Sequence, residues 1–158
     1  MPDGSLPLDR YDRAILQILS AEGRIPVAEL ARRIGLSKTP TQARLRRLET
    51  EGIVTGYRAM LNPIRLGLAH VAFVELRLSD TREAALRDFN AAVRVIPEVE
   101  ECHMIAGGFD YLLKVRTADM ASYREVMAER ISALPHVANS STFVAMEAVK
   151  DAAFATPP

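Results

Sequence analysis

Apolar residues recur at three- and four-residue steps through three successive windows in the first third of the chain. Leu8, Ile15, Ile18 and Leu19 form one stripe, which predicts a helix over 8–21 with Asp9 beside its positive N-terminal end. Val27, Leu30, Ala31 and Ile34 form a second stripe that stops at Gly35, a residue type that accepts the left-handed turn closing a helix. Ser37 then stands where a hydroxyl can accept a hydrogen bond from an orphan backbone N–H, and Pro40 is tolerable in a first turn whose N–H groups lack partners. A third helix therefore starts near Lys38. Thr41, Leu45 and Leu48 share its inner face with Ile53 beyond Gly52, and Thr39, Pro40, Gln42, Ala43, Arg46 and Arg47 point outward. Residues 53–61 alternate loosely through Val54, Tyr57 and Met60, which predicts a strand or strand pair, a small wing and connector ended by Asn62 and Pro63.

The rhythm changes in the second half. Residues 71–78 are rich in β-branched and aromatic side chains and read as a strand, whereas Ala85, Leu86, Phe89, Val93 and Ile96 fall at helical spacing within 81–96, closed by Pro97. Residues 99–106 and 111–117 read as two short strands around Gly107 and Gly108. Tyr123, Met127 and Ile131 mark a helix over 120–134, and 140–149 reads as a last strand. The order strand, helix, strand, strand, helix, strand is the ferredoxin-like split β-α-β arrangement, an antiparallel sheet with two helices over one face. Val71, Phe73, Leu113 and Phe143 leave the other face without a wholly polar side, so the sheet is expected to dimerise through it. The fold class is α+β. The expected divisions are a loose arm at 1–7, a helix-turn-helix domain at 8–52, wing and linker strands at 53–66, a sensing and oligomerisation domain at 67–150 and a tail at 151–158.

Composition narrows the function. Net charge is zero over 158 residues, yet residues 1–60 carry ten Lys plus Arg against seven Asp plus Glu, and residues 61–158 carry ten against thirteen. Such asymmetry suits a chain of which one half faces nucleic acid. The single cysteine, Cys102, excludes an intramolecular disulfide and fits a reducing cytoplasm. No apolar run is long enough to span a membrane and no signal-peptide pattern opens the chain.

Arg32, Arg33, Lys38, Arg44, Arg46 and Arg47 stand between positions 32 and 47 with no Asp or Glu among them. A local cation surface on the second helix of a helix-turn-helix points to double-stranded DNA. An α-helix fits the major groove, where Gln bonds adenine edges and Thr or Ala methyls touch thymine; Lys38, Thr39, Gln42 and Ala43 are assigned to base readout. Arg33, Arg44, Arg46 and Arg47 suit phosphates, with Ser37 and Pro40 at the helix N-terminus that faces the duplex. The plainer alternative is a solvated face neutralised by Glu49 and Glu51.

In loop 106–111, Gly107 and Gly108 leave backbone N–H groups accessible to a carboxylate, and Asp110 offers a negative charge to an α-ammonium, so the loop is a candidate for the zwitterionic part of an amino acid. On spacing alone the loop reads first as a plain hairpin turn with Asp110 opening a strand, and only second as a ligand site. Cys102 and His103 are adjacent and so point to opposite faces of a strand, and no second Cys or nearby His stands at zinc spacing; neither catalysis, a metal nor a cofactor is expected.

The opening LDRYDRAILQILSAEGRIPVAELARRIGLS, the stretch TPTQARLRRLETEGIVTGYRAMLNP and the later AGGFDYLLKVRTADMASYREVMAERISALPHV together resemble the Lrp/AsnC (feast/famine) transcription regulators over about 8–150. LNPIRLGLAHVAFVEL and VEECHMIAGGFDYLLKV look most like the subgroup that activates proline degradation genes. The resemblance implies a winged helix-turn-helix joined to an amino-acid-sensing domain of the RAM or ACT-like type, homodimers that associate into tetramers or octamers, and regulation by a free amino acid. It places the effector at the loop with Ala106, Gly107, Gly108 and Asp110. Selectivity would then come from His103, Met104, Ile105, Val144 and Ala145 on adjoining strands. Gly108 stands where many members carry a polar residue. The alternative function is an amino-acid-binding ferredoxin-like regulator of another enzyme, its basic helices serving assembly rather than specific DNA binding.

Overall fold

The computed structural model describes residues 7–149, so the expected tail, nearly all of the expected arm and Lys150 lie outside the described residues. The chain divides into two compact units between Leu61 and Asn62, inside the expected linker.

The first unit holds helices α1 (Arg10–Ala21), α2 (Val27–Ile34) and α3 (Lys38–Thr50). Helix α1 begins two residues later than its apolar stripe, because Asp9 and Asp12 form a capping box: the Asp9 carboxylate accepts from the N–H groups of Tyr11 and Asp12, and Asp12 accepts from the N–H of Asp9. Helix α2 ends at Gly35, whose φ of 72° is the left-handed closure expected there. Ile15, Leu30 and Leu48, one from each helix, are wholly buried and pack with Leu16, Leu45, Ile53 and their neighbours into one small core.

Two local expectations fail. Ser37 occupies the N-cap position of α3, but its hydroxyl makes no capping bond. The third helical position, the usual donor to such a cap, is Pro40, which has no N–H. Instead the Thr41 hydroxyl, buried, donates to the Ser37 carbonyl at 2.9 Å. The strand pair expected over 53–66 is also absent: the described residues there form turns and extended chain. Ile53 and Val54 are used to close α3, both donating to the Leu48 carbonyl, and a lone ribbon further on would have no sheet to join.

The second unit contains β1 (His70–Leu78), α4 (Glu83–Val93), β2 (Val99–Met104), β3 (Tyr111–Thr117), α5 (Met120–Val126), a wider π turn over Met127–Ile131, and β4 (Val137–Val144). The sheet order is β2-β3-β1-β4 with every pair antiparallel, which is the split β-α-β arrangement. Ala72, Val74 and Leu76 of β1 and Tyr111, Leu113 and Val115 of β3 face Phe89, Val93, Tyr123, Val126, Ile131 and Leu134, forming the main core. The Phe89 and Tyr111 rings stack tilted with centroids 4.3 Å apart.

Leu113 thus belongs to the helix-covered face, not to the open one. Phe73 and Phe143 are direct partners on the open face, 37% and 54% exposed, with Glu75, Lys114 and Arg116 on the same side of neighbouring positions. The apolar strip is narrower than the sequence suggested. Strand β4 spans 137–144 rather than 140–149. It is an edge strand with almost every side chain exposed, so it carries no alternation to read, and past Val144 only the Ala145 N–H still bonds to β1, at the Val71 carbonyl.

Candidate nucleic-acid interface and effector loop

Helix α3 presents Thr39, Pro40, Ala43, Arg46 and Arg47 to solvent, with Lys38 and Ser37 exposed at its start and Gln42 partly so. That is the outward set expected from its periodicity. Its electrostatics differ from the expectation. The segment lacks acids in sequence, but acids from α1 and α2 come to meet it. Arg33 pairs with Glu22 at 2.6 Å and Glu29 at 3.0 Å, and Arg32 pairs with Glu29 at 2.6 Å. Arg44 Nη1 lies 2.8 Å from Asp12 and 2.7 Å from Asp9, and Arg47 Nη2 lies 2.6 Å from the other Asp12 oxygen. The Tyr11 ring sits under the Arg44 guanidinium at 5.4 Å.

Arg33, Arg44 and Arg47 are therefore not spare cations, and Glu49 and Glu51 are not what neutralises them. Lys38 and Arg46 are the two basic groups of the segment with no ion-pair partner among the described residues. The pairing tunes the acids. The Glu29 carboxyl is held down at about 2, first by Arg32 and then by Arg33. Asp9 is lowered chiefly by the N–H of Asp12, and Arg44 is raised first by Asp12.

Loop 105–110 joins β2 to β3. Asp110 is half committed: its Oδ2 accepts the N–H of Leu78 at 2.8 Å and its own N–H donates to Leu76, so it ties the loop to the end of β1. Neither Gly107 nor Gly108 has a positive φ; a Cβ at Gly108 would meet nothing within 4 Å, and one at Gly107 would meet only Ile105 Cγ2 at 3.4 Å. The fold itself does not require glycine at either place. His103 and Met104 are exposed, His103 lying 3.2 Å from Glu101, and Ala106 is exposed with Ile105 partly so.

Val144 and Ala145 do not join this group. Val144 ends β4, at the opposite edge of the sheet, and Ala145 follows it; Val144 pairs with Ala72 while the loop sits at the Leu76–Leu78 end of β1. Two strand spacings and at least four residues of rise separate them, more than about 15 Å. Within one chain the expected effector set is split between two corners. What the register does bring to the loop end is Arg77, exposed on the open face opposite Asn139 and without an ion-pair partner among the described residues. Its sign in the sequence was a charge at an outward position just before a strand end. Cys102 faces the core, where burial raises its thiol pKa, and the described residues hold no cluster of His, Cys, Asp or Glu fit for a metal.

Comparison with known proteins connects the two units. Residues 8–55 match the winged helix-turn-helix DNA-binding family, ending before most of the irregular connector, and residues 71–153 match the Lrp/AsnC ligand binding domain. The chain belongs to the Lrp/AsnC family. It is 68% identical to the proline dehydrogenase transcriptional activator of Rhodobacter capsulatus over 142 residues, 90% of this chain and 92% of that one. It is 47% identical to the leucine-responsive regulatory protein of Salmonella typhimurium over 143 residues, 90% and 87% of the two chains. A transcriptional regulator from Neisseria meningitidis, solved in complex with L-methionine, superposes with a TM-score of 0.86 at 33% identity, covering 91% and 93%. As an Lrp/AsnC regulator the chain joins a DNA-binding unit to an amino-acid-binding one. The proteins it resembles are transcriptional regulators, and no helix among its described residues is long and apolar enough to cross a membrane.

Proposed function

We propose that this Lrp/AsnC protein is a cytoplasmic, proline-responsive activator of proline catabolism, and that it works without catalysing a reaction. The observation that carries this reading is the 68% identity over nine-tenths of the chain to a proline dehydrogenase transcriptional activator. In this proposal α3 enters the major groove, Thr39, Gln42 and Ala43 meet base edges, and Lys38 and Arg46 supply the free charge for phosphates. The loop 105–110 takes the zwitterion of the effector. Its N–H groups and Arg77 receive the carboxylate, and the uncommitted oxygen of Asp110 receives the ammonium.

The split between the loop and Val144 supports a site completed by another copy of the chain, since one protomer cannot bring the two corners together. Dimerisation uses the open sheet face through Phe73 and Phe143, and higher assemblies place the loops near one another. Proline then acts by binding one assembly state better than another; a ligand with equal affinity for both shifts nothing. Thermal-shift titration of the twenty amino acids tests the effector. Proline is expected to raise the melting temperature most. A larger shift with leucine or methionine would replace proline as the effector.

A further inference from the structure

Asp12 is the one fully buried acidic residue among the described residues of the DNA-binding unit. A buried carboxylate is a poor choice for stability alone, because an apolar residue of similar volume often serves as well or better. What it provides is direction. One carboxylate at the first turn of α1 holds Arg44 through one oxygen and Arg47 through the other, fixing two guanidinium groups three residues apart on α3. Asp9 and the Tyr11 ring hold Arg44 from two further sides. Each guanidinium has five N–H donors, and the side chains remain 28% and 44% exposed, so donors beyond those bound to Asp12 face solvent.

Building on the DNA-binding function of this unit, we infer that Asp12 is a positioning residue for DNA recognition, acting through Arg44 and Arg47 by orienting their outward donors toward backbone phosphates beside the groove that α3 enters. The clamp separates two roles that a cluster of arginines usually mixes. With Asp9 and Asp12 beside them, Arg44 and Arg47 add little net field, and the salt-sensitive attraction rests on Lys38 and Arg46. The clamped pair instead sets register, with the loss of rotamer freedom already incurred in the free protein.

Asp12→Asn keeps the volume and removes the charge. It frees Arg47, leaves Arg44 to Asp9 and Tyr11 and unmasks one charge, so its effects on the two kinds of DNA diverge. The assay is fluorescence anisotropy with the full-length protein, on a duplex selected by the parent from a random pool and on a scrambled duplex of equal length, each over a salt series. Affinity for the selected duplex should fall about tenfold, the weight of one charge-assisted hydrogen bond. Affinity for the scrambled duplex should hold or rise, with a steeper salt slope by up to about one.

Unchanged preference for the selected duplex would overturn the inference. So would equal losses on both duplexes by a variant that circular dichroism shows to be folded. In an Arg44→Gln, Arg47→Gln background Asp12→Asn should cost no further preference; a persisting loss would show that it acts by another route. If circular dichroism shows Asp12→Asn to be unfolded, Arg47→Gln at its half-exposed site carries the test, with the same loss of preference expected and an unchanged preference overturning it. A parent that selects no duplex at all would instead refute specific DNA binding itself.

Discussion

Replacing Lys38 and Arg46 together by glutamine isolates the free charge of the interface. Of the six cations between positions 32 and 47, four are already engaged by Asp9, Asp12, Glu22 and Glu29, whereas these two have no ion-pair partner among the described residues. A free cation that meets a phosphate releases about 0.9 of a counterion, so the double substitution should flatten the slope of log affinity against log salt by about 1.8 for each bound protomer. Over a fourfold rise in salt the variant would then lose about tenfold less affinity than the parent. Both positions are exposed and outside the core, so the melting temperature should barely move. Arg33→Gln is the internal control: its guanidinium is held by Glu22 and Glu29, and it should flatten the slope by well under the roughly 0.9 that one free cation gives. Anisotropy titrations between 50 and 200 mM salt, roughly the range over which such contacts are felt, measure all three proteins. An unchanged slope in the double variant, or flattening by about 0.9 in Arg33→Gln, would refute the division into free and engaged cations.

Asp110→Ala should weaken proline binding by calorimetry and cost ~1 kcal/mol of stability through the lost bond to the Leu78 N–H, while leaving DNA affinity of the ligand-free protein unchanged; undiminished proline affinity would remove Asp110 from the site. Gly35→Ala places a side chain at a φ of 72° and should cost about 1 kcal/mol in urea unfolding, since the penalty is conformational and a Cβ there meets nothing within 4 Å; no loss would contradict the closure described for α2. Glu29 titrates at about 2 in the folded protein against 4.5 ordinarily, so its contribution is present above about pH 4.5 and is lost as pH falls toward 2. Glu29→Gln should therefore lower the thermal midpoint at pH 6 more than at pH 3, and equal lowering at both would contradict the pairing with Arg32 and Arg33.

The helices of the first unit and the strand-helix order of the second were legible because each has its own periodicity. Gly35, Leu30 and Leu48 fall where spacing placed them, and so does the outward face of α3. The motifs also placed the chain in its family. The charge of the interface was not legible, because Asp9, Asp12 and Glu22 lie 11 to 35 residues from the arginines they hold, and only the packing of α1 against α3 brings Asp12 to Arg47. The D-x-x-D spacing of Asp9 and Asp12 was the available signal of a capping box. Strand β4 was misplaced since an exposed edge strand is held by main-chain bonds that leave no hydrophobic pattern. The same lack of pattern hides the sheet order that separates Val144 and Ala145 from the loop, and Arg77 near that loop is marked in the sequence only as a charge at an outward position.

Proline-responsive DNA binding is measured by titrating the full-length protein onto DNA from the promoter of a proline dehydrogenase gene, with and without proline. Binding is expected in clear preference to scrambled DNA of the same length, with a change of affinity or assembly state on adding proline that leucine at the same concentration does not produce. Equal affinity for the two DNAs and no response to proline would contradict proline-responsive DNA binding.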